Sequence, residues 1–179
     1  MVEEARLERS ERGLEPATEG WFTVNIRDAA WVRNDAMGSA CIFEGHDVGF
    51  DDIGFTLSVI QPGQPSGMYH REGDQEDFLV LKGECLLLIE GEERRLKAWD
   101  FVHCPPHTEH IFVGASNEPC IIFMIGGRTR PKDVLYVRSE VALRHGAGVE
   151  ADTTESAEAY ARFPKWQDGP PDFSDLPWS

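Results

Sequence analysis

Three residues that can bind metals or transfer protons, His70, Glu72 and Glu76, lie within one short polar stretch, GMYHREGDQEDF. Side chains alternate between two faces of an extended strand, so His70 and Glu72 project from the same face. A Gly-Asp step then breaks the strand, and Glu76 begins the next apolar run. A hairpin at this step would bring the three side chains together at one end of two strands.

A second histidine that could join this group stands at the end of the stretch DFVHCPPHTEH. A strand ends there at a Pro-Pro step, and His110 begins the next apolar run, HIFVG. If His110 points inward, it can meet His70. Two imidazoles with one or two carboxylates form a ligand set for a divalent transition metal. Two histidines and one carboxylate on one face suit Fe(II) with open coordination positions.

Neighbouring polar residues leave two alternatives open. Gln75 would exchange roles with Glu76 if the strand register differed by one residue. His103 and Cys104 precede the Pro-Pro step and alternate in direction, so one of them could face a cavity. The simpler interpretation is that both are strand residues without a chemical role.

The elements that must position these residues are short apolar segments separated by turn residues. Their close, regular spacing predicts an all-β sandwich or barrel. Gly83 and Gly91 supply two tight turns, which makes the middle of the chain an antiparallel meander. The nearly continuous apolar run FLVLKGECLLLIE indicates strands covered on both faces, as in a closed barrel of two sheets. The segments are SACIF, FTLSVI, MYH, DFLVL, CLLLIE, RRLKA, DFVHC, HIFVG and CIIFMIG.

Three regions follow from the composition along the chain. Residues 1–19 are acidic and lack periodicity, so we expect a disordered or loosely docked arm. Residues 20–127 form the barrel with its N-terminal strands, and order should begin with a strand at Trp21–Ile26. Residues 128–179 form a C-terminal extension.

The C-terminal extension is predicted to be helical at first and extended at its end. Thr153 or Thr154 could cap a short helix. The final prolines rule out helix in the last residues. Because Trp166 and Trp178 are unusual in a disordered tail, we expect this tail to lie along the barrel or a neighbouring subunit.

Composition excludes several classes of partner. The 179 residues include 32 acids and 17 bases, a formal net charge of -15, which argues against nucleic acid or an anionic membrane surface as partners. No apolar run approaches the ~18 residues of a membrane span, and the N-terminus has no signal-like apolar region, so a cytoplasmic protein is expected. The four cysteines form no CxxC pair, and we expect buried reduced thiols.

The first polar stretch resembles the first motif of the cupin family, of the small single-domain type. That motif has a histidine, a second histidine two residues on, a glutamate three or four residues later, and a glycine seven beyond the glutamate. His70, Glu72, Glu76 and Gly83 fall on those positions, so Glu72 stands where the family has the second histidine. The glycine spacing also favours Glu76 over Gln75.

The second stretch resembles the second cupin motif, which has a glycine, a proline six residues later, a glycine two after that and a histidine three further on. Trp99, Pro105, His107 and His110 occupy those places, so both glycines are replaced. Histidine tolerates a left-handed backbone, which lets the turn at His107 survive. We expect Trp99 to cover the barrel end or a subunit contact. The resemblance spans roughly residues 50–127.

The resemblance implies a double-stranded β-helix, or jelly-roll barrel, that binds one divalent transition metal through His70, Glu72, Glu76 and His110. This ligand set is harder than three histidines and one glutamate, which favours Fe, Mn, Zn or Ni over Cu. In the alternative, Glu72 turns away and only orients His70. His70, Glu76 and His110 then remain as a facial triad.

Cupins include dioxygenases, isomerases, lyases and non-catalytic binding modules, so the resemblance does not fix the reaction. We expect a metal-dependent enzyme acting on a small molecule in the barrel, with Glu72 or Glu76 as the candidate base when it is not a ligand. The alternative is a non-catalytic small-molecule binding or sensor barrel. A homodimer is expected because cupins commonly pair.

Overall fold

A computed structural model of the protein describes residues 1–130 and 133–176. Fourteen strands and two short α-helices are present in these residues. The strands are β1 Leu7–Arg9, β2 Leu14–Pro16, β3 Ala30–Asn34, β4 Gly38–Ile42, β5 Ile53–Ile60, β6 His70–Arg71, β7 Glu76–Lys82, β8 Glu84–Ile89, β9 Glu92–Lys97, β10 Phe101–Cys104, β11 His110–Gly114, β12 Cys120–Gly127, β13 Leu135–Tyr136 and β14 Gln167–Asp168. The helices are α1 Glu140–Arg144 and α2 Ser156–Ala159, and a 3₁₀ turn follows at Phe173–Asp175.

Two antiparallel sheets face each other and form the barrel. The larger sheet has the order β10-β7-β12-β5-β4-β3-β14, and the smaller has the order β13-β6-β11-β8-β9. Consecutive strands therefore alternate between the sheets from β5 to β7 and from β9 to β12. The predicted all-β double-stranded β-helix is confirmed.

The barrel interior is apolar and filled by side chains from both sheets. Alternation along β7 sends Phe78 and Val80 inward, and the ring of Phe112 on β11 lies 4.8 Å from that of Phe78. All four cysteines are buried and none is paired, as expected. Because these side chains fill the barrel, only its rim offers room for a polar site.

Both predicted glycine turns are present, but only the one at Gly91 closes a hairpin. Glu90 and Gly91 have positive φ between β8 and β9, as a two-residue hairpin loop requires. Gly83, with φ of 75°, carries the chain from β7 in the large sheet to β8 in the small sheet, and an added Cβ there would lie 2.5 Å from the carbonyl oxygen of Pro119. The antiparallel meander predicted across Gly83 is therefore wrong.

The N-terminal residues are more ordered than we expected. β1 and β2 pair as a hairpin, and Leu14 donates its N–H to the carbonyl of Asp28 at 2.6 Å. The predicted strand at Trp21–Ile26 is wrong: only Trp21 joins an isolated bridge. The first strand of the large sheet is β3. Main-chain hydrogen bonds order this segment. Such bonds do not require a pattern of apolar side chains, so the sequence does not reveal them.

The C-terminal extension has short helices and a tail along the outer face of the large sheet. The cap predicted at Thr153 or Thr154 is wrong: Glu155 is the N-cap of α2 and makes no side-chain cap bond, and Thr153 only accepts the N–H of Glu155. In the tail, β14 pairs with β3, and the ring of Phe173 contacts Trp31 edge-on at 5.8 Å. Trp166 is 42% exposed. The prediction for Trp178 lies outside the described residues.

No helix among the described residues is long and apolar enough to cross a membrane.

Candidate metal centre

His70, Glu76 and His110 come together at one rim of the barrel because each begins a strand there. His70 begins β6, Glu76 begins β7, and His110 begins β11 directly opposite His70 in the strand register. One ligand atom from each of the three residues lies within 4.8 Å of the other two. The rings of the two histidines are 5.2 Å apart between centroids.

Main-chain carbonyls fix the orientation of both histidines. Nδ1 of His70 lies 2.7 Å from the carbonyl oxygen of Met68, and Nδ1 of His110 lies 3.0 Å from that of Thr108. A carbonyl only accepts, so each ring donates its Nδ1–H and keeps the lone pair on Nε2. This is the arrangement found around metal-binding histidines, whose other nitrogen is held by the protein.

The Nε2 atoms point toward carboxylates. Nε2 of His110 lies 3.5 Å from Glu76, and Nε2 of His70 lies 3.6 Å from Glu72. The two lone pairs and the Glu76 carboxylate therefore converge on one place, with Glu72 beside His70. The donor set therefore fits a divalent transition metal held by His70, Glu76 and His110.

His110 is kept neutral by its surroundings. Its side chain is 3% exposed, and the rings of Phe78 and Phe112 lie 5.1 and 6.3 Å from its own. Burial, followed by the nearby His70, lowers the pKa of His110 to about 4. At neutral pH this imidazole carries no proton on Nε2, which is the form that binds a metal.

Glu76 and His70 respond to the same burial in a different way. Burial, followed by the charge of Glu72, raises the pKa of Glu76 to about 7. For His70, burial lowers the pKa, but Glu72, Glu76 and the Met68 carbonyl outweigh it and the net direction is upward. The charge of Glu72 opposes the ionisation of Glu76, and a bound cation would offset that repulsion.

Glu72 lies at the edge of this group. Its side chain is 35% exposed, and it is not among the three residues whose ligand atoms are mutually close. Its carbonyl oxygen accepts a hydrogen bond from the N–H of His107 at 2.7 Å, which ties β6 to the turn before His110. Its assignment as a metal ligand stays a prediction.

The other polar candidates lie outside the site. Gln75 is exposed and hydrogen-bonds Asp77, so the register places Glu76 and not Gln75 at the rim. His103 points outward and contacts Asp77 at 2.7 Å. Cys104 faces the apolar interior and is buried.

Two tyrosines beside the histidines were not predicted from the sequence. Tyr136 on β13 pairs with His70, and their rings are 6.0 Å apart. Tyr160, which follows α2, packs edge-on against Tyr136 at 5.6 Å, and its hydroxyl accepts the N–H of Met68. An added Cβ on Gly67 would come within 3.0 Å of that hydroxyl, so Gly67 leaves room for the ring.

Only Tyr136 had a signal in the sequence. The run VLYV is typical of a strand, and a strand there could have been tested for pairing with β6. Tyr160 gave no signal, because its place depends on how the segment after α1 folds back.

A cavity of about 430 Å³ opens beside Glu72 at the same rim. Two guanidinium groups border it, those of Arg128 and Arg130. Arg128 is held by both carboxylate oxygens of Glu44, and Arg130 donates to the carbonyl of Gly73. Of the residues near the cluster, Glu72 lines this cavity. The lining is Glu72, Gly73, Asp74, Gly127, Arg128, Arg130 and Asp133.

The two sheets and the rim site define a small double-stranded β-helix protein with a His–Glu–His cluster at its open end. Residues 56–126 match the model of the cupin domain. No match was found among the curated proteins.

Several solved structures share the fold. The polyketide cyclase RemF from Streptomyces resistomycificus aligns over 64% of this chain and 83% of its own, with 18% identity and a TM-score of 0.54. A cupin-superfamily sugar phosphate isomerase from Silicibacter pomeroyi aligns over 63% and 79%, with 19% identity and a TM-score of 0.54. At these identities the likeness shows the fold alone.

A third structure has higher identity over a shorter region. It is a protein from Acidithiobacillus ferrooxidans, itself a proposed sugar phosphate isomerase, with 30% identity and a TM-score of 0.45. The alignment covers 48% of this chain and 56% of that one, so this chain spans little more than half of that relative.

Proposed function

We propose that the protein is a metal-dependent enzyme that acts on a small polar or aromatic molecule at the barrel rim. The observation that carries this proposal is the mutual approach of His70, Glu76 and His110 within 4.8 Å. Three protein ligands leave coordination positions for a substrate, which distinguishes a catalytic site from a closed structural one. The reaction class is a dioxygenase, isomerase or lyase type, and the fold does not choose among them.

The residues around the cluster have distinct parts in this proposal. His70, Glu76 and His110 would hold one divalent ion, Fe, Mn, Zn or Ni, and that ion would act as a Lewis acid or, if it is iron, activate oxygen. Phe78 and Phe112 exclude water from the inner side of the site. Glu72, partly exposed beside the cavity, is the candidate base.

The side of the site opposite the apolar floor carries hydroxyl groups. The phenols of Tyr136 and Tyr160 lie next to each other beside His70. The negative charge of Glu72 contributes to raising the pKa of each phenol. Burial first, and then the neighbouring charges, raise the pKa of Tyr136 to about 12. A phenol that stays protonated at neutral pH is suited to donate a hydrogen bond to a substrate oxygen.

Metal analysis of native protein tests the first part of the proposal. Protein purified without an affinity tag should contain about one divalent ion per chain. The double variant His70→Ala/His110→Ala should lose that ion and stay folded by circular dichroism. His46→Ala/His103→Ala is the matched control, because both histidines lie outside the site, and it should keep the ion. A wild-type protein that is fully folded and contains no metal would contradict the proposal.

Turnover separates an enzyme from a binding barrel. A thermal-shift screen of small molecules identifies ligands, and each ligand is then incubated with the metal-loaded protein. Oxygen uptake is followed by electrode and product formation by mass spectrometry. Conversion that disappears in the double variant supports the enzyme, whereas ligands that stabilise the protein and remain unchanged would identify a non-catalytic barrel.

A further inference from the structure

We propose that a cavity between the C-terminal extension and the large sheet is a second small-molecule site, and that its ligand is a flat aromatic carboxylate. The cavity has a volume of about 500 Å³, which lies within the ordinary range for ligand sites. It is formed by the end of β3, by α2 and by the segment that leads from Tyr160 to β14. His70, Glu76 and His110 do not line it, so this site does not depend on the proposed metal.

Three aromatic side chains of the extension form the apolar walls of the cavity, those of Tyr160, Phe163 and Trp166. The rings of Tyr160 and Phe163 lie 6.4 Å apart between centroids, and their planes are tilted by 58°. Trp166 is 42% exposed, so a ligand ring stacked on its indole would remove apolar surface from water. Walls of this kind favour a flat aromatic ring over a saturated ring of the same size.

Hydrogen bonds hold these walls in place before any ligand binds. The hydroxyl of Tyr160 accepts the N–H of Met68 at 3.2 Å. Asn34, a buried residue that also lines the cavity, donates from Nδ2 to the carbonyl of Pro164 at 2.8 Å. Trp166 directly precedes β14, which pairs with β3. The site is therefore largely preformed, which lowers the entropic cost of binding.

The charge of the lining favours an anion. Lys165 is the one charged side chain among the described residues that line this cavity. At least two carboxylates line each of four other cavities, one of them the cavity beside Glu72. The formal net charge of the chain is -15, so most of its surface repels anions. A cavity lined by an ammonium group and by no described acid admits an anion that the other cavities repel.

An organic cation is the competing ligand, because a cage of aromatic rings also binds quaternary ammonium groups. Lys165 disfavours a cation, since two like charges would lie close together and no acid in the described lining offsets the repulsion. The ammonium of Lys165 and the hydroxyl of Ser156 instead offer hydrogen-bond donors to a carboxylate. An aromatic ring that carries a carboxylate matches both the walls and the charge.

Tyr160 lies between this cavity and the cluster of His70, Glu76 and His110. Its ring packs against that of Tyr136 at 5.6 Å, and the ring of Tyr136 lies 6.0 Å from that of His70. A ligand in the cavity therefore lies outside the coordination sphere of a metal at the cluster. Binding to the metal-free protein should be as tight as binding to the metal-loaded protein, unlike the binding of a substrate that contacts the metal.

Three probes with the same ring test the charge preference: 2-naphthoate, 2-naphthylmethanol and 2-naphthylmethylamine, which are anionic, neutral and cationic at neutral pH. Isothermal titration calorimetry is done on the full-length protein as purified and after metal removal. In both forms 2-naphthoate should bind tightest, with a dissociation constant of about 1 mM or lower, and the amine should bind weakest. Decahydro-2-naphthoate, the saturated analogue with the same charge, should bind about 2- to 10-fold more weakly than 2-naphthoate.

Substitutions in the lining test the location. Lys165→Glu should reverse the order of the acid and the amine, because the charge of the lining changes sign. Lys97→Glu makes the same change at an exposed lysine on β9 and should leave the order unchanged. Trp166→Ala should raise the dissociation constant of 2-naphthoate by about 10-fold, whereas Trp21→Ala, at an exposed tryptophan elsewhere, should not. Circular dichroism checks that all four variants remain folded.

The indole N–H of Trp166 reports the location directly. Heteronuclear NMR of protein with isotope-labelled tryptophan should show the indole signals of the five tryptophans, and Trp166→Ala identifies one of them. Addition of 2-naphthoate should move that signal and leave the signal of the buried Trp31 in place.

Two results would overturn the proposal: a Trp166 signal that stays in place up to about 5 mM 2-naphthoate, or an amine that binds as tightly as the acid. Binding of 2-naphthoate that is lost when the metal is removed would also overturn it, because the anion would then be a metal ligand at the cluster. A wild type that contains no metal and yet binds 2-naphthoate at Trp166 would support this site, although it would contradict the proposed enzyme.

Discussion

The rim and the interior of the barrel are built by the same strands and yet hold opposite kinds of side chain. β7 presents Glu76 at the rim and then Phe78 and Val80 further in, and β11 presents His110 and then Phe112. The inward positions thus change from polar to apolar within one step of two residues along each strand.

The change shows that the two regions have different requirements. The interior gains stability by filling space with apolar groups. The rim collects two imidazoles and a carboxylate whose pKa burial raises to about 7, so the metal-free site is unfavourable on its own. At the rim, a substitution that stabilises the metal-free protein should therefore weaken metal binding. In the interior, away from the ligands, a substitution should change stability alone.

The largest effect is expected for Glu76→Gln, which removes the buried charge with little change in shape. Metal affinity should fall by more than about 100-fold, because a ligand is lost and loss of a mere supporting group already costs 10- to 100-fold. The metal-free variant should melt at or above the temperature of the metal-free wild type at about pH 8, where the wild-type carboxylate is ionised. Chelator competition and differential scanning fluorimetry give the two quantities. A variant that kept its affinity would remove Glu76 from the ligand set.

Ile122→Ala should produce the opposite result in the interior, because Ile122 is fully buried opposite Val80 and away from the ligands. Truncating a buried isoleucine to alanine costs about 2–5 kcal/mol in the free energy of unfolding. The metal content of the folded protein should stay near one ion per chain, because the three ligands remain. Urea unfolding and metal analysis measure the two effects, with the exposed Ile53→Ala as a control expected to change stability little. Loss of the metal without loss of stability would contradict the separation of the two regions.

A smaller effect is expected for Glu72→Gln, which decides whether Glu72 binds the metal or orients His70. Its carboxylate lies 3.6 Å from Nε2 of His70 and outside the group of mutually close ligand atoms. We expect that Glu72 orients His70 and does not bind the metal, so Glu72→Gln should lower metal affinity by about 10- to 100-fold. A loss as large as that of Glu76→Gln would instead make Glu72 a ligand.

The last prediction concerns the pH dependence of metal binding. The metal needs Glu76 ionised and His70 without its Nε2 proton, and the pKa of both groups is raised, that of Glu76 to about 7. Protons therefore compete below about pH 7, and affinity should fall about tenfold per pH unit for each proton displaced. In Glu72→Gln the fall should begin at lower pH, because the charge of Glu72 contributes to both upward shifts. An affinity that stayed constant down to about pH 5 would contradict the assigned ligands.

The sequence predicted the barrel and the grouping of His70, Glu76 and His110, because both depend on strand patterns. Alternation along β7 places Glu76 and not Gln75 at the rim. The strand expected at Trp21–Ile26 failed, because the apolar residues there pack against the outer face without joining a ladder. Tyr160 was missed since its position depends on contacts between distant segments.

The C-terminal extension has a consequence for how such a site can evolve. Tyr160 reaches the rim from a segment that is tied to β13 by two main-chain hydrogen bonds between Tyr136 and Thr153. Main-chain hydrogen bonds do not depend on the identity of the side chains that follow. Substitutions in this segment can therefore change one wall of the site while His70, Glu76 and His110 keep their places on the barrel strands.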